Sequence, residues 1–367
     1  MQIEELLWFI PSIFIFCNSL LVGLLFLTVK SKNKKGNIYL GLFLFGISIN
    51  LFNDFIIIFG LEDKLDISLF VLEPFLFILP FLFFYLLVTI NKKVREWHYL
   101  LFLPGVIHNL LLHFPNVFTE NTITIYETII YLLEIILTVY AFKVLKNHHK
   151  SLSNYYSDFE NKTLTWLKSI FVLNVLVHFF NISTFIIDIS SFRIIELTID
   201  TLTLVLFMFM IYWIAYNGLS QPEIFKKRLF LGTDNNTDLS ISKESKEASL
   251  ETDIQKFNEI KNKIEKRELY INPKLNLRSL SSELNIKERE LSRLINEYGK
   301  VNFYQFVNEY RIEKFKQLVQ SSKFQQFSIL GLASEAGFSS KSTFYAAFKK
   351  FEGMSPKQYE NSIKKSG

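Results

Sequence analysis

Carboxylates, amides and one imidazole recur at helical spacing inside stretches that are otherwise apolar. Glu127 and Glu134 lie seven residues apart and so share one helix face. Asn174, His178 and Asn181 stand at i, i+4 and i+7, again on one face. Asp54 follows Asn50 and Asn53 in a third stretch. Two kinds of chemistry suit such groups. They can hydrogen-bond between helices and hold a bundle together. They can also line a cavity that receives a signal, a proton or a cation, because burial raises a carboxylate's affinity for protons. The residues leave both readings open and name no ligand. Catalytic sets are missing. There is no G-x-x-x-x-G-K-S/T loop, no G-x-G-x-x-G, no H-E-x-x-H and no C-x-x-C. His148-His149 stand in a basic loop with no further metal ligand beside them, and the single cysteine, Cys17, has no partner for a disulfide within the chain. The expectation is a non-enzyme with neither metal nor cofactor.

The elements that carry these polar groups are set by hydropathy. Seven stretches approach the roughly 20 apolar residues that a membrane crossing needs: about 6–29, 38–60, 67–90, 97–113, 123–145, 165–189 and 194–217. The fourth is short and interrupted by Pro104-Gly105. The first has no basic leader and no small-residue cleavage site, so it reads as a retained span rather than a signal peptide. Loop charge alternates with the spans. Lys30, Lys32, Lys34 and Lys35 fill the first loop, Lys92, Lys93 and Arg95 the third, and Lys146, Lys150 and Lys162 the fifth. Lys226, Lys227 and Arg228 follow the last span. The segments between them carry Glu4 and Glu5, then Glu62, Asp63 and Asp66, then Glu120. Basic loops stay in the cytoplasm, so the pattern predicts a multi-pass protein of the cytoplasmic (inner) membrane, with its N-terminus outside and its C-terminus in the cytoplasm.

The chain then changes character. Residues 1–220 carry 14 basic and 16 acidic side chains, and the remainder 26 and 19. Three regions follow: a seven-span sensor domain over 1–220, a flexible linker over 221–252 and a helical domain over 253–367. The stretch 232–250, GTDNNTDLSISKESKEASL, lacks apolar periodicity and reads as a spacer, or alternatively as a regulatory or cleavage site. Beyond it Ile254, Phe257, Ile260, Ile264 and Leu269 fall on one helix face. Two short helix pairs come next: 277–284 with 287–297 around a turn at Asn285-Ile286, and 328–335 with 341–351 around a turn at Gly337. Gly337 suits a left-handed backbone, Ser340 a helix N-cap, and Gly299 and Gly353 helix stops. A longer helix, about 302–320, joins the pairs, with Phe303, Phe306, Val307, Tyr310, Phe315 and Leu318 inward. Residues 256–367 hold 21 basic against 12 acidic side chains, a balance that suits a polyanion.

The motifs LNLRSLSSELNI…LSRLIN…FYQFVNEYRIEK and SILGLASEAGFSSKSTFYAAFKKFEGMSPKQY resemble the DNA-binding domain of the AraC/XylS family over roughly residues 255–362. The multi-spanning N-terminal half resembles the membrane-bound members of that family. The resemblance implies an all-α chain, a seven-helix transmembrane bundle followed by a cytoplasmic double helix-turn-helix DNA-binding domain. It implies a regulator, expected to activate, that couples a signal received in the spans to promoter binding. Double-stranded promoter DNA, the lipid bilayer, RNA polymerase, a homodimer and a signal ligand are its implied partners. Carried over by position, the first reading helix offers Lys287, Arg289, Ser292 and Arg293. The second offers Lys341, Ser342, Thr343 and Tyr345, with Lys349 on phosphate. Arginines spaced i, i+4 suit guanine O6 and N7, and two heads on a rigid helix suit successive major grooves about 34 Å apart. The chain departs from the family at Ala346, where a polar reading residue is common. Span residues Asp54, Glu127, Glu134, Asn174, His178 and Asn181 are the candidates for signal sensing. A membrane transporter or receptor whose helical tail binds a protein partner is the alternative.

Overall fold

Long apolar runs without β-branched alternation or turn residues leave helix as the way to satisfy the backbone, and helix is what forms. The computed structural model describes residues 3–31, 33–59, 74–113, 120–159, 163–186, 193–219, 243–321 and 327–366. Among them are fourteen α-helices and no strand. The chain divides into two compact units, residues 1–146 with 164–228, and residues 147–163 with 229–367.

The first unit holds α1 (Ile3–Thr28), α2 (Lys34–Ile58), α3 (Phe75–Thr89), α4 (Leu103–His113), most of α5 (Glu120–Ser153), α6 (Trp166–Ile186) and α7 (Arg193–Leu219). These helices fall at the seven predicted stretches. Among the described residues, four segments are long and apolar enough to cross a membrane: Phe9–Thr28, Lys34–Asn53, Thr128–Ser153 and Thr201–Leu219. The weak fourth stretch divides into a 3-10 turn, Glu96–Phe102, and the 11-residue α4. Pro104 takes the second position of α4, where its missing N–H is no loss. A Cβ on Gly105 would come 2.7 Å from the Phe77 ring, so the glycine sets how closely α4 approaches α3. α1 and α2 meet through Gly23 and Gly41 and a Ser19–Ser48 hydroxyl bond of 2.7 Å, the small-residue contact usual between membrane helices. Phe43, Leu79, Phe83 and Phe84 are fully buried, while Leu21, Ile136, Val139 and Val205 point outwards.

The second unit begins with α8 (Lys243–Lys266), then a 3-10 turn (Leu269–Ile271), α9 (Leu277–Leu284), α10 (Glu288–Tyr298), α11 (Phe303–Val319), α12 (Ile329–Glu335), α13 (Lys341–Glu352) and α14 (Pro356–Ser366). α8 starts inside the stretch read as linker, because KESKEASLE is built of strong helix formers. α11 divides its apolar residues between two cores. Phe303, Phe306 and Val307 pack with Phe257, Ile260, Leu280, Leu291 and Leu294. Ile312, Phe315 and Val319 pack with Leu332, Phe338, Phe344 and Phe348. Of the face predicted on α8, Phe257, Ile260 and Ile264 are buried and Ile254 is exposed. Residues 147–163 also belong to this unit, although the sequence reading assigned them to the membrane half.

Candidate nucleic-acid interface

The two helix pairs are built alike. α9 is capped at its N-terminus by Asn276, whose side chain accepts from Ser279 N–H at 3.0 Å, with the Ser279 hydroxyl accepting in return from Asn276 N–H. It ends at Asn285 in the left-handed region, φ 54°. Ile286 N–H then closes onto Ser281 C=O at 2.9 Å. In the second pair Ser328 caps α12 by accepting from Gly331 N–H at 3.1 Å, and Gly337 takes the left-handed position, φ 98°. Phe338 N–H closes onto Ala333 C=O at 3.0 Å. Both turns therefore use one device: a left-handed residue, then an apolar residue whose N–H reaches back five positions. Gly353 ends α13 at φ 71° as expected. Gly299 does not take that role: its φ is −78°, and Lys300 carries the positive φ instead.

α10 and α13, the second helix of each pair, present the residues expected to read DNA. On α10, Lys287 and Arg289 are exposed and Ser292 and Arg293 half-buried. The Arg293 guanidinium is clamped. It donates to both carboxylate oxygens of Asp253 on α8, at 2.8 and 2.9 Å, and to Glu297 at 2.9 Å. The hydrogen bond from Arg293 holds the Asp253 carboxyl below the usual carboxylate range, and the same bond raises Arg293. On α13, Ser340 caps the helix by accepting from Thr343 N–H at 3.2 Å. Lys341, Ser342 and Lys349 are exposed, Tyr345 is half-buried with Lys341 over its ring, and Thr343 is fully buried. The Thr343 hydroxyl donates to Asp158 at 2.7 Å, and the Ser339 hydroxyl donates to the other Asp158 oxygen. Ala346 is exposed and offers no polar group.

Residues 280–362 match a family model described as a helix-turn-helix domain. The match supports an AraC-family DNA-binding domain and a DNA-binding transcription regulator. Comparison with curated proteins and with solved structures gave no match.

Three residues that position this domain were not singled out from sequence. Arg311 on α11 is wholly buried; it donates to the carbonyls of Tyr270 and Asn272 at 2.8 Å each and to Asn308 Oδ1 at 3.2 Å, and lies over the Phe338 ring. Burial lowers its pKa to about 10, an effect that the Asp158 charge partly offsets. An arginine on an otherwise apolar helix face was the available signal. Asp253 on α8 and Asp158 after α5, the carboxylates that accept from the two reading helices, carry no local signal. Of the span candidates, Glu134 and Asn174 are buried within the first unit. The side chains of Asp54, Glu127, His178 and Asn181 lie outside the described residues.

Proposed function

We propose that the chain is a membrane-anchored transcription regulator whose spans receive a signal and whose cytoplasmic double helix-turn-helix domain binds promoter DNA. The observation that carries this reading is the repeated turn: two helix pairs, closed by the same backbone bond, each presenting a second helix with exposed cations. Lys287 and Arg289 serve the first head, and Lys341, Lys349 and Lys350 the second. Ser292, Arg293, Ser342, Thr343 and Tyr345 complete the reading set. Phosphate contacts supply affinity and register, and base-edge contacts supply selectivity. Seven crossings, with the N-terminus outside, supply the tether. The signal ligand, a homodimer on paired half-sites and contact with RNA polymerase belong to the same proposal.

The test uses the full-length chain in lipid nanodiscs. A random duplex pool is subjected to rounds of selection, and the enriched duplexes are titrated at several salt concentrations. A retained sequence motif, with affinity falling steeply as salt rises, is the expected result. Retention without any enriched motif would reject a sequence-specific regulator.

A further inference from the structure

The segment joining α5 to α6 in the chain is part of the helix-turn-helix unit. Leu277 N–H donates to Tyr155 C=O at 2.9 Å, and Tyr156 pairs with Asn276 in an antiparallel bridge. The buried Ser157 hydroxyl donates to Leu275 C=O at 2.6 Å, and its own carbonyl accepts from the Asn308 amide at 2.9 Å. Phe159 is buried edge-on against Tyr304 of α11, with ring centroids 5.0 Å apart. Asn302 donates to the Ser153 hydroxyl at 3.3 Å. Residues 153–159 thus touch the start of the first helix pair, the connecting helix and the second reading helix.

At the far end of this contact stands Asp158. Its carboxylate accepts from Ser339 and Thr343, at the N-terminal turn of α13. Hydroxyls and a helix N-terminus are what would hold a DNA phosphate oxygen. The two anions compete for one set of donors.

Resting on the DNA-binding reading, we infer that residues 153–159 form an intramolecular anchor that occupies the second reading helix, with Asp158 seated where a backbone phosphate of DNA would sit. Chain binding to a second half-site must first displace it. The segment is continuous with α5 on one side and lies seven residues before α6 on the other.

The experiment compares wild type and Asp158→Ala in nanodiscs, using a fluorescent duplex selected by the wild-type chain. Removing a competing anion raises the fraction of binding-competent chain, so the variant is expected to bind about five- to tenfold more tightly. Hydrogen exchange on the wild type provides the second readout. The Leu277 amide, whose partner is Tyr155, is expected to lose protection when the duplex is added. Equal or weaker binding by Asp158→Ala overturns the inference, and so does Leu277 protection that the duplex leaves unchanged. Should the variant not fold, the exchange measurement on the wild type decides alone. If the wild type binds no duplex, the DNA-binding reading itself fails and the anchor fails with it.

Discussion

Two arginines one turn apart on α10 have different surroundings and so different work. Arg289 is exposed, while Arg293 is shared between Asp253 and Glu297. Replacing Arg289 with Ala is expected to weaken DNA binding by about 1–3 kcal/mol at its base position, with melting unchanged. Arg293→Ala is expected to lower the melting temperature as well, because α8 loses its clamp on α10. Titration and thermal melting of both variants separate the roles; equal melting temperatures would show the clamp to be idle. The clamp is also insensitive to mild acid. The Asp253 pKa is depressed in the folded chain, so its contribution is complete above the ordinary carboxylate value and fades only as pH falls through the lower, folded one. Melting measured from pH 8 to 5 is expected to show no step from this pair. Arg311 is the opposite case, a buried cation that satisfies two backbone carbonyls. Arg311→Met leaves both without a donor and is expected to destabilise the domain by about 2–5 kcal/mol. Arg311→Lys, with no fork geometry, is expected to fall between. The exposed cations were legible from their positions in the motif. The clamp was not, since Asp253 lies 40 residues from Arg293 and nothing local ties the two.

At the scale of elements, the helix pairs were legible because caps and apolar spacing act within a few residues. Ser340 and Gly337 needed only their neighbours to be understood. What a neighbour-by-neighbour reading lacked was the object packed against a turn. A Cβ at Gly337 would lie 2.7 Å from both Ile271 and Tyr270 carbonyl oxygens, backbone atoms that have no rotamer to escape into. At Gly353 the backbone is also left-handed, yet nothing stands within 4 Å. Gly353→Ala is therefore expected to cost about 1 kcal/mol, the ordinary penalty for a left-handed alanine. Gly337→Ala adds a clash to that strain and is expected to cost about 3 kcal/mol or more. Chemical denaturation of the two variants checks the ranking. Equal losses would mean that the Tyr270–Ile271 turn moves aside freely. The same contrast explains Gly299, a helix stop by sequence that is instead kept small by the Ile295 carbonyl 2.6 Å away.

Across the whole molecule, hydropathy and loop charge made the apolar helices legible, but not how many of them would cross a membrane in the proposed topology. The discontinuous second unit constrains that number. Residues 147–163 fold with residues 229–367, so the membrane-anchored proposal requires both to lie on one side of the bilayer. Among the described residues α6 and α7 stand between them, so the proposal requires an even number of crossings there. α7 contains the long apolar segment Thr201–Leu219, and α6 runs 21 residues from Trp166 to Ile186. Parity makes α6 cross with α7, or neither cross. In a Cys17→Ser background, single cysteines replacing the exposed Lys150 and Lys357 are both expected to resist a membrane-impermeant maleimide in intact cells and to react after lysis. Glu62→Cys, in the acidic stretch that the sequence places between two predicted spans, is expected to react from outside. Labelling of Lys150→Cys in intact cells with Lys357→Cys protected would separate the two parts of the unit by a membrane. The backbone pairing of Tyr155 with Leu277 could not then exist in the cell, and the basic fifth loop would have to be read as external.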